Sequence, residues 1–74
     1  MYQRIRDLRE DRDMTQEELA TALNMWLNTY RNYEVGNREP PFAFMIEVAK
    51  YFNVSLDYLA GLIQTPERLD RLKK

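Results

Sequence analysis

The stretch TQEELATALNMWLNTYRNYEVGNREP, Thr15 to Pro40, decides how this chain is read. It opens with Thr15 and, three residues on, Glu18. That is the pattern of a capping box, in which hydroxyl and carboxylate each satisfy a backbone N–H left free by the first helical turn. Leu19, Ala20 and Leu23 then recur at the spacing of one helix face. Asn24 follows, and asparagine enters the left-handed region more cheaply than most residues. A further helix is predicted from there to about Val35, with Gly36 as its stop. Two short helices joined by a tight turn are the unit around which everything else must pack.

Working outward, a first helix is predicted over about Tyr2 to Asp11, with Ile5 and Leu8 inward and its mixed charges forming a solvated face. Asp13 suits a left-handed turn in DRDMT. After the loop NREPP, Pro41 suits the first turn of a fourth helix. There Phe42, Met45, Ala49 and Phe52 recur at 3-4-3 spacing, a single buried stripe, and Asn53 closes it. VSLDYLAG reads as a short fifth helix capped by Ser55, with Leu56 and Leu59 inward and Gly61 at its end. The expected fold is all-α, five helices in one domain over residues 1–61. The tail, residues 62–74, either forms a short helix capped by Thr65 or frays. The predicted core is Ile5, Leu8, Leu19, Leu23, Tyr33, Phe42, Met45, Ala49, Phe52, Leu56 and Leu59, with Tyr30 also at core spacing.

The 74 residues include no cysteine and no histidine. That excludes a disulfide, a thiolate nucleophile, a Cys-based zinc site and the commonest general base. The carboxylates are scattered, and no phosphate-cradling glycine loop or triad is present, so no catalytic residue, metal site or cofactor is predicted. No apolar run approaches the ~20 residues that span a bilayer, and the charged N-terminus lacks a signal-peptide core, so a cytoplasmic location is expected. Lys plus Arg number 11 and Asp plus Glu 12, a net charge of −1, with a pI near 5.4. Nucleic-acid domains are often far more basic, although a local basic stripe suffices.

Thr15-Gln16-Glu17-Glu18-Leu19-Ala20, Leu23, Tyr33-Glu34, Gly36 and Arg38-Glu39-Pro40, with the ending FNVSLDYLAG, resemble the helix-turn-helix of the lambda-repressor and Cro-like family. The resemblance covers roughly residues 3 to 61. It implies a compact five-helix fold whose second and third helices form the DNA-binding unit. It also implies that Leu27, Asn28 and Arg31 stand where side chains reach base edges, and that Gln16, Asn37 and Arg38 stand where phosphates are held. The position of Trp26 is one where the family typically has a capping Ser or Thr.

Trp26 and Leu27 depart from that chemistry. Tryptophan has no side-chain oxygen to cap a helix. Leucine offers a base edge at most an apolar touch on a thymine methyl. The phase set by Phe42, Met45, Ala49 and Phe52 places Phe44 on the opposite side of the fourth helix, with Ala43 and Glu47 near it. Val35 occupies the exposed end of the third helix. Trp26, Leu27, Val35, Ala43 and Phe44 are therefore expected to share one apolar face, with Arg31 and Glu47 at its edge, the layout of a protein interface. The leading expectation is a protein-binding module, its DNA-reading face converted by engineering or by evolution to dock a protein partner or a second copy. The alternative is a sequence-specific DNA-binding regulator using Gln16, Leu27, Asn28, Arg31, Asn37 and Arg38. Blander readings are that Trp26 folds back onto Met25 and Tyr30, and that Phe44 packs under the tail near Tyr51 or Leu62.

Overall fold

In the computed structural model, which describes residues 2–64, the backbone forms five helices and, among the described residues, no strand. They are α1 (Gln3–Asp11), α2 (Gln16–Ala22), α3 (Leu27–Val35), α4 (Phe42–Phe52) and α5 (Leu56–Leu59). The terminal helix considered for the tail, from Thr65 onward, lies outside the described residues.

Each boundary has a local cause. Asp13, Asn24 and Asn53 sit at φ 54°, 59° and 57°, the left-handed conformation that ends a helical run and that Asp and Asn tolerate. Gly36 ends α3 at φ 90°, where a Cβ would be strained. The capping box forms in full: Thr15 Oγ1 accepts from the Glu18 N–H at 3.0 Å, and Glu18 Oε1 accepts from the Thr15 N–H at 2.8 Å. Ser55 Oγ accepts from the Tyr58 N–H at 3.1 Å and starts α5 in the same manner. Pro41 stands one residue before α4 rather than within its first turn.

The core draws on every helix: Ile5 from α1, Leu19 and Ala20 from α2, Tyr30 from α3, Phe44, Met45, Val48, Ala49 and Phe52 from α4, and Leu59 from α5, with Val54 between the last two. Leu8, Leu23, Tyr33 and Leu56 pack against it partly buried.

Two expectations for α4 are corrected. Phe42 is 69% exposed, and Phe44 is only 7% exposed. The segment FAFMIEVAKYF is apolar nearly all round, so its own periodicity does not single out one inner face. The partner helix decides the phase: the Phe44 ring lies 4.8 Å from that of Tyr33 and 6.1 Å from that of Tyr30, both tilted. Such contacts add to area burial. They turn Phe44 and Val48 inward and leave Phe42 at the rim.

The charges of α1 are likewise not a merely solvated face. Arg4 Nη1 donates to the Tyr58 carbonyl at 3.1 Å and also to the Ile63 carbonyl, and its guanidinium lies 4.2 Å above the Tyr58 ring. It pins the segment after α5 to α1. Arg9 turns inward altogether, as described below.

Leu19 has no exposed surface and Phe52 is buried. Truncating either to Ala is expected to cost about 2–5 kcal/mol, a large share of what a small domain has to lose. Urea denaturation followed by circular dichroism measures it.

Candidate nucleic-acid interface

Helix α3 divides its side chains between two surroundings. Tyr30 and Glu34, one turn apart, are buried, and Leu27 packs partly buried against the core on the same side. Asn28, Arg31 and Val35 are exposed on the other. Residues three and four apart on a helix are neighbours, so Asn28 and Arg31 form one outward polar pair on a helix whose back is anchored.

Glu34 is the anchor. It is 3% exposed, and a charge so placed is tolerated only with partners. Arg9 grips it with two bonds, Nε to Oε2 at 2.9 Å and Nη2 to Oε1 at 3.2 Å. The Tyr30 hydroxyl donates to Oε2, and Gln16 Nε2 donates to Oε1 at 2.9 Å. Arg9 Nη1 also donates to the Met14 carbonyl at 2.7 Å. One carboxylate thereby ties α1, α2 and α3 together. Burial pushes the Glu34 carboxyl up, but the bonds from Arg9, Tyr30 and Gln16 outweigh it and hold the group below its ordinary value. The same contacts raise Arg9, chiefly through its bond to Glu34, and burial together with Glu34 pushes the Tyr30 hydroxyl up.

Gln16 faces both ways. Its Oε1 accepts from Arg31 Nε at 3.2 Å, so α2 and α3 are bonded across the exposed side as well as the buried one. Asn37 and Arg38 follow Gly36 and are exposed. The Arg38 N–H donates to the Asn32 carbonyl at 3.1 Å, and Asn37 Nδ2 reaches Asn32 Oδ1 at 3.5 Å, which folds this loop onto the end of α3. Among the described residues no cluster of three or more acidic, His or Cys side chains could hold a metal.

The expected docking face does not assemble. Phe44 is inside, held by Tyr30 and Tyr33. Leu27 is half-buried, because the first residue of α3 turns its side chain onto the core. Trp26 remains, 83% exposed, with Val35 at 50%. Ala43 and Glu47 are exposed and line an open hollow beside Met25, Tyr33 and Phe44. Trp26 does not fold back, and it heads α3 with no side-chain cap bond.

Sequence reasoning missed Glu34 and Arg9. A usable signal existed: Glu34 is in phase with Leu27 and Tyr30, so a carboxylate was predictable on the inner side of α3, where it requires a cation.

Comparison with known proteins agrees with this architecture. A helix-turn-helix family model matches residues 5–59. The transcriptional regulator YobD of Bacillus subtilis is 35% identical over 68 residues, covering 90% of this chain and 61% of its own length. The cryptic phage CTXphi transcriptional repressor RstR of Vibrio cholerae is 37% identical over 84% of this chain and 56% of its own. The transcriptional regulator ImmR of Bacillus subtilis is 36% identical over 78% and 46% respectively. The chain thus spans about half to three-fifths of these relatives' length. No solved structure matches it significantly. These relatives are named as regulators and repressors of transcription. That finding, with the burial of Phe44, overturns the reading of the chain as an engineered or converted protein-docking module.

Two outcomes are expected. Glu34 contributes stability in full above the ordinary carboxyl value of 4.5, and this is lost as pH falls through its lower folded value. Glu34→Gln should therefore flatten the acid limb of a stability–pH profile while lowering stability at pH 7. Trp26→Ser supplies the missing cap while removing little buried surface, since Trp26 is largely exposed, and should raise stability by up to about 1 kcal/mol in thermal melts.

Proposed function

The chain belongs to the lambda-repressor and Cro-like helix-turn-helix family, and we propose that it acts as the DNA-binding domain of a transcriptional regulator, reading one duplex sequence with the outer side of α3. One observation carries the reading: Asn28 and Arg31 face outward, a turn apart, on a helix whose opposite side is fixed by Tyr30 and Glu34. Asparagine and arginine are side chains that distinguish adenine and guanine in the major groove. A fixed helix presents them without first having to order itself. Asn37 and Arg38, exposed in the loop after Gly36, are assigned to backbone contacts that set orientation, whereas the Gln16 amide is engaged by Glu34 and Arg31. Leu27, half-buried, is left with at most the edge of its side chain for a thymine methyl.

The electrostatics favour selectivity over general attraction. The net charge is −1, and Glu17 and Glu18 lie in the first turn of α2 beside the proposed interface. Binding to generic duplex is therefore weak at physiological salt, no tighter than the nonspecific range of roughly 10⁻⁴–10⁻⁶ M. Trp26, at the head of α3, lies at the margin of the proposed groove contact and adds apolar area there. No catalytic step is assigned. The matched relatives are bacterial, so the proposed location is the cytoplasm, where the duplex lies.

Selection from random duplexes followed by anisotropy titration at several salt concentrations tests this. An enriched site bound at least about 10³-fold tighter than generic duplex is expected. Arg31→Ala should then cost about 1–3 kcal/mol and relax one base position. Arg38→Ala should weaken all sequences alike and reduce the salt slope by about one. Failure to enrich any sequence would overturn the proposal.

A further inference from the structure

The polar chain that starts at the buried ion pair does not stop at Glu34. Its carboxylate only accepts hydrogen bonds, so the Gln16 amide must turn its Nε2 inward, where it donates to Oε1 at 2.9 Å. That leaves a single direction for Gln16 Oε1. It faces outward and accepts from Arg31 Nε at 3.2 Å. The orientation of a solvent-side guanidinium is thus dictated from the interior, through Arg9, Glu34 and Gln16 in turn.

The bond occupies only the Nε–H of Arg31. Among the described residues neither Nη group has a partner, and these four N–H groups form the forked end of a rigid plane. Two parallel donors in one plane match the O6 and N7 acceptors that guanine shows in the major groove. Building on the DNA-binding reading, we propose that Gln16 is a positioning residue: it holds the Arg31 guanidinium, through Nε, in the pose that reads guanine with its two Nη groups. Gln16 then acts on sequence discrimination without touching a base. Lysine in place of Arg31 would lack both the Nε–H that Gln16 holds and the planar fork.

Immobilising a long side chain only at the moment of binding costs affinity, about two- to tenfold for one rotamer-rich residue. A side chain already held in place avoids most of that cost. The effect should concentrate on the duplex that rewards the fixed pose.

The test is a double-mutant cycle with Gln16→Ala, Arg31→Ala and the pair, each titrated against the selected duplex and against the same duplex with the contacted guanine replaced. Gln16→Met, which preserves packing volume, serves as a second variant, and melts confirm that each protein folds. The expected result is a two- to tenfold loss on the selected duplex for Gln16→Ala, little change on the replaced duplex, and no further loss when it is added to Arg31→Ala. Additive losses, or an Arg31→Ala loss equal on both duplexes, would overturn the proposal. In the free protein, the Arg31 Nε–H nuclear magnetic resonance signal should exchange slowly with water and become fast in both Gln16 variants. A signal unaltered by the variants would overturn the positioning role alone. Should that signal respond while no duplex is selected, the DNA-binding reading fails, and the guanine assignment with it.

Discussion

The Glu34 carboxylate receives donors from Arg9, Tyr30 and Gln16 in a space almost closed to water. Three helices meet on it, and the remaining architecture depends on its being satisfied. Taking a carboxylate and a guanidinium out of water is costly, and such a pair is often no more stabilising than apolar residues of the same size. Its contribution here is direction. An apolar contact tolerates sliding, whereas two fork bonds, a phenol and an amide accept one arrangement. Removing one partner would strand a buried charge, at a cost of about 3–5 kcal/mol, so this register of α1, α2 and α3 is strongly enforced.

That enforcement matters because the apolar core is small and ambiguous. Helix α4 carries apolar side chains on most of its circumference, and several rotations about its axis would bury comparable area. Packing of Phe44 against Tyr33 and Tyr30 selects one of them. Tyr30 has a second role, since its ring joins the core while its hydroxyl joins the Glu34 network. The hydrophobic and polar halves of the interior are therefore coupled through one side chain. A small shift of α3 would loosen both.

The outward face follows from the inward one. With Tyr30 and Glu34 fixed, Asn28 and Arg31 are turned outward, and Gln16, bonded to both Glu34 and Arg31, connects the two sides. Trp26 is the part of this face that local energetics does not favour. It heads a helix without capping it and stays in water.

Element boundaries were legible in the sequence because they are set locally. The Thr15–Glu18 box, the left-handed Asp13, Asn24 and Asn53, Gly36 and the Ser55 cap each act within one turn of chain, so residue type alone identifies them. The family was legible for a related reason: its motif is a fixed spacing of such signals. Exposed candidates such as Asn28 and Arg38 were named through that resemblance, which carries over position by position along the motif. What the tertiary structure alone decided was which residues of α4 and α1 point inward. The periodic stripe of α4 favoured Phe42 over Phe44, and the mixed charges of α1 concealed Arg9, because neither helix contains the partner that settles the matter. Phe44 is buried by Tyr30 and Tyr33, eleven residues and more away, and Arg9 is drawn in by Glu34, twenty-five residues along the chain. Burial of an aromatic ring or a charge is a property of the pair, and the pair exists only once the chain has folded.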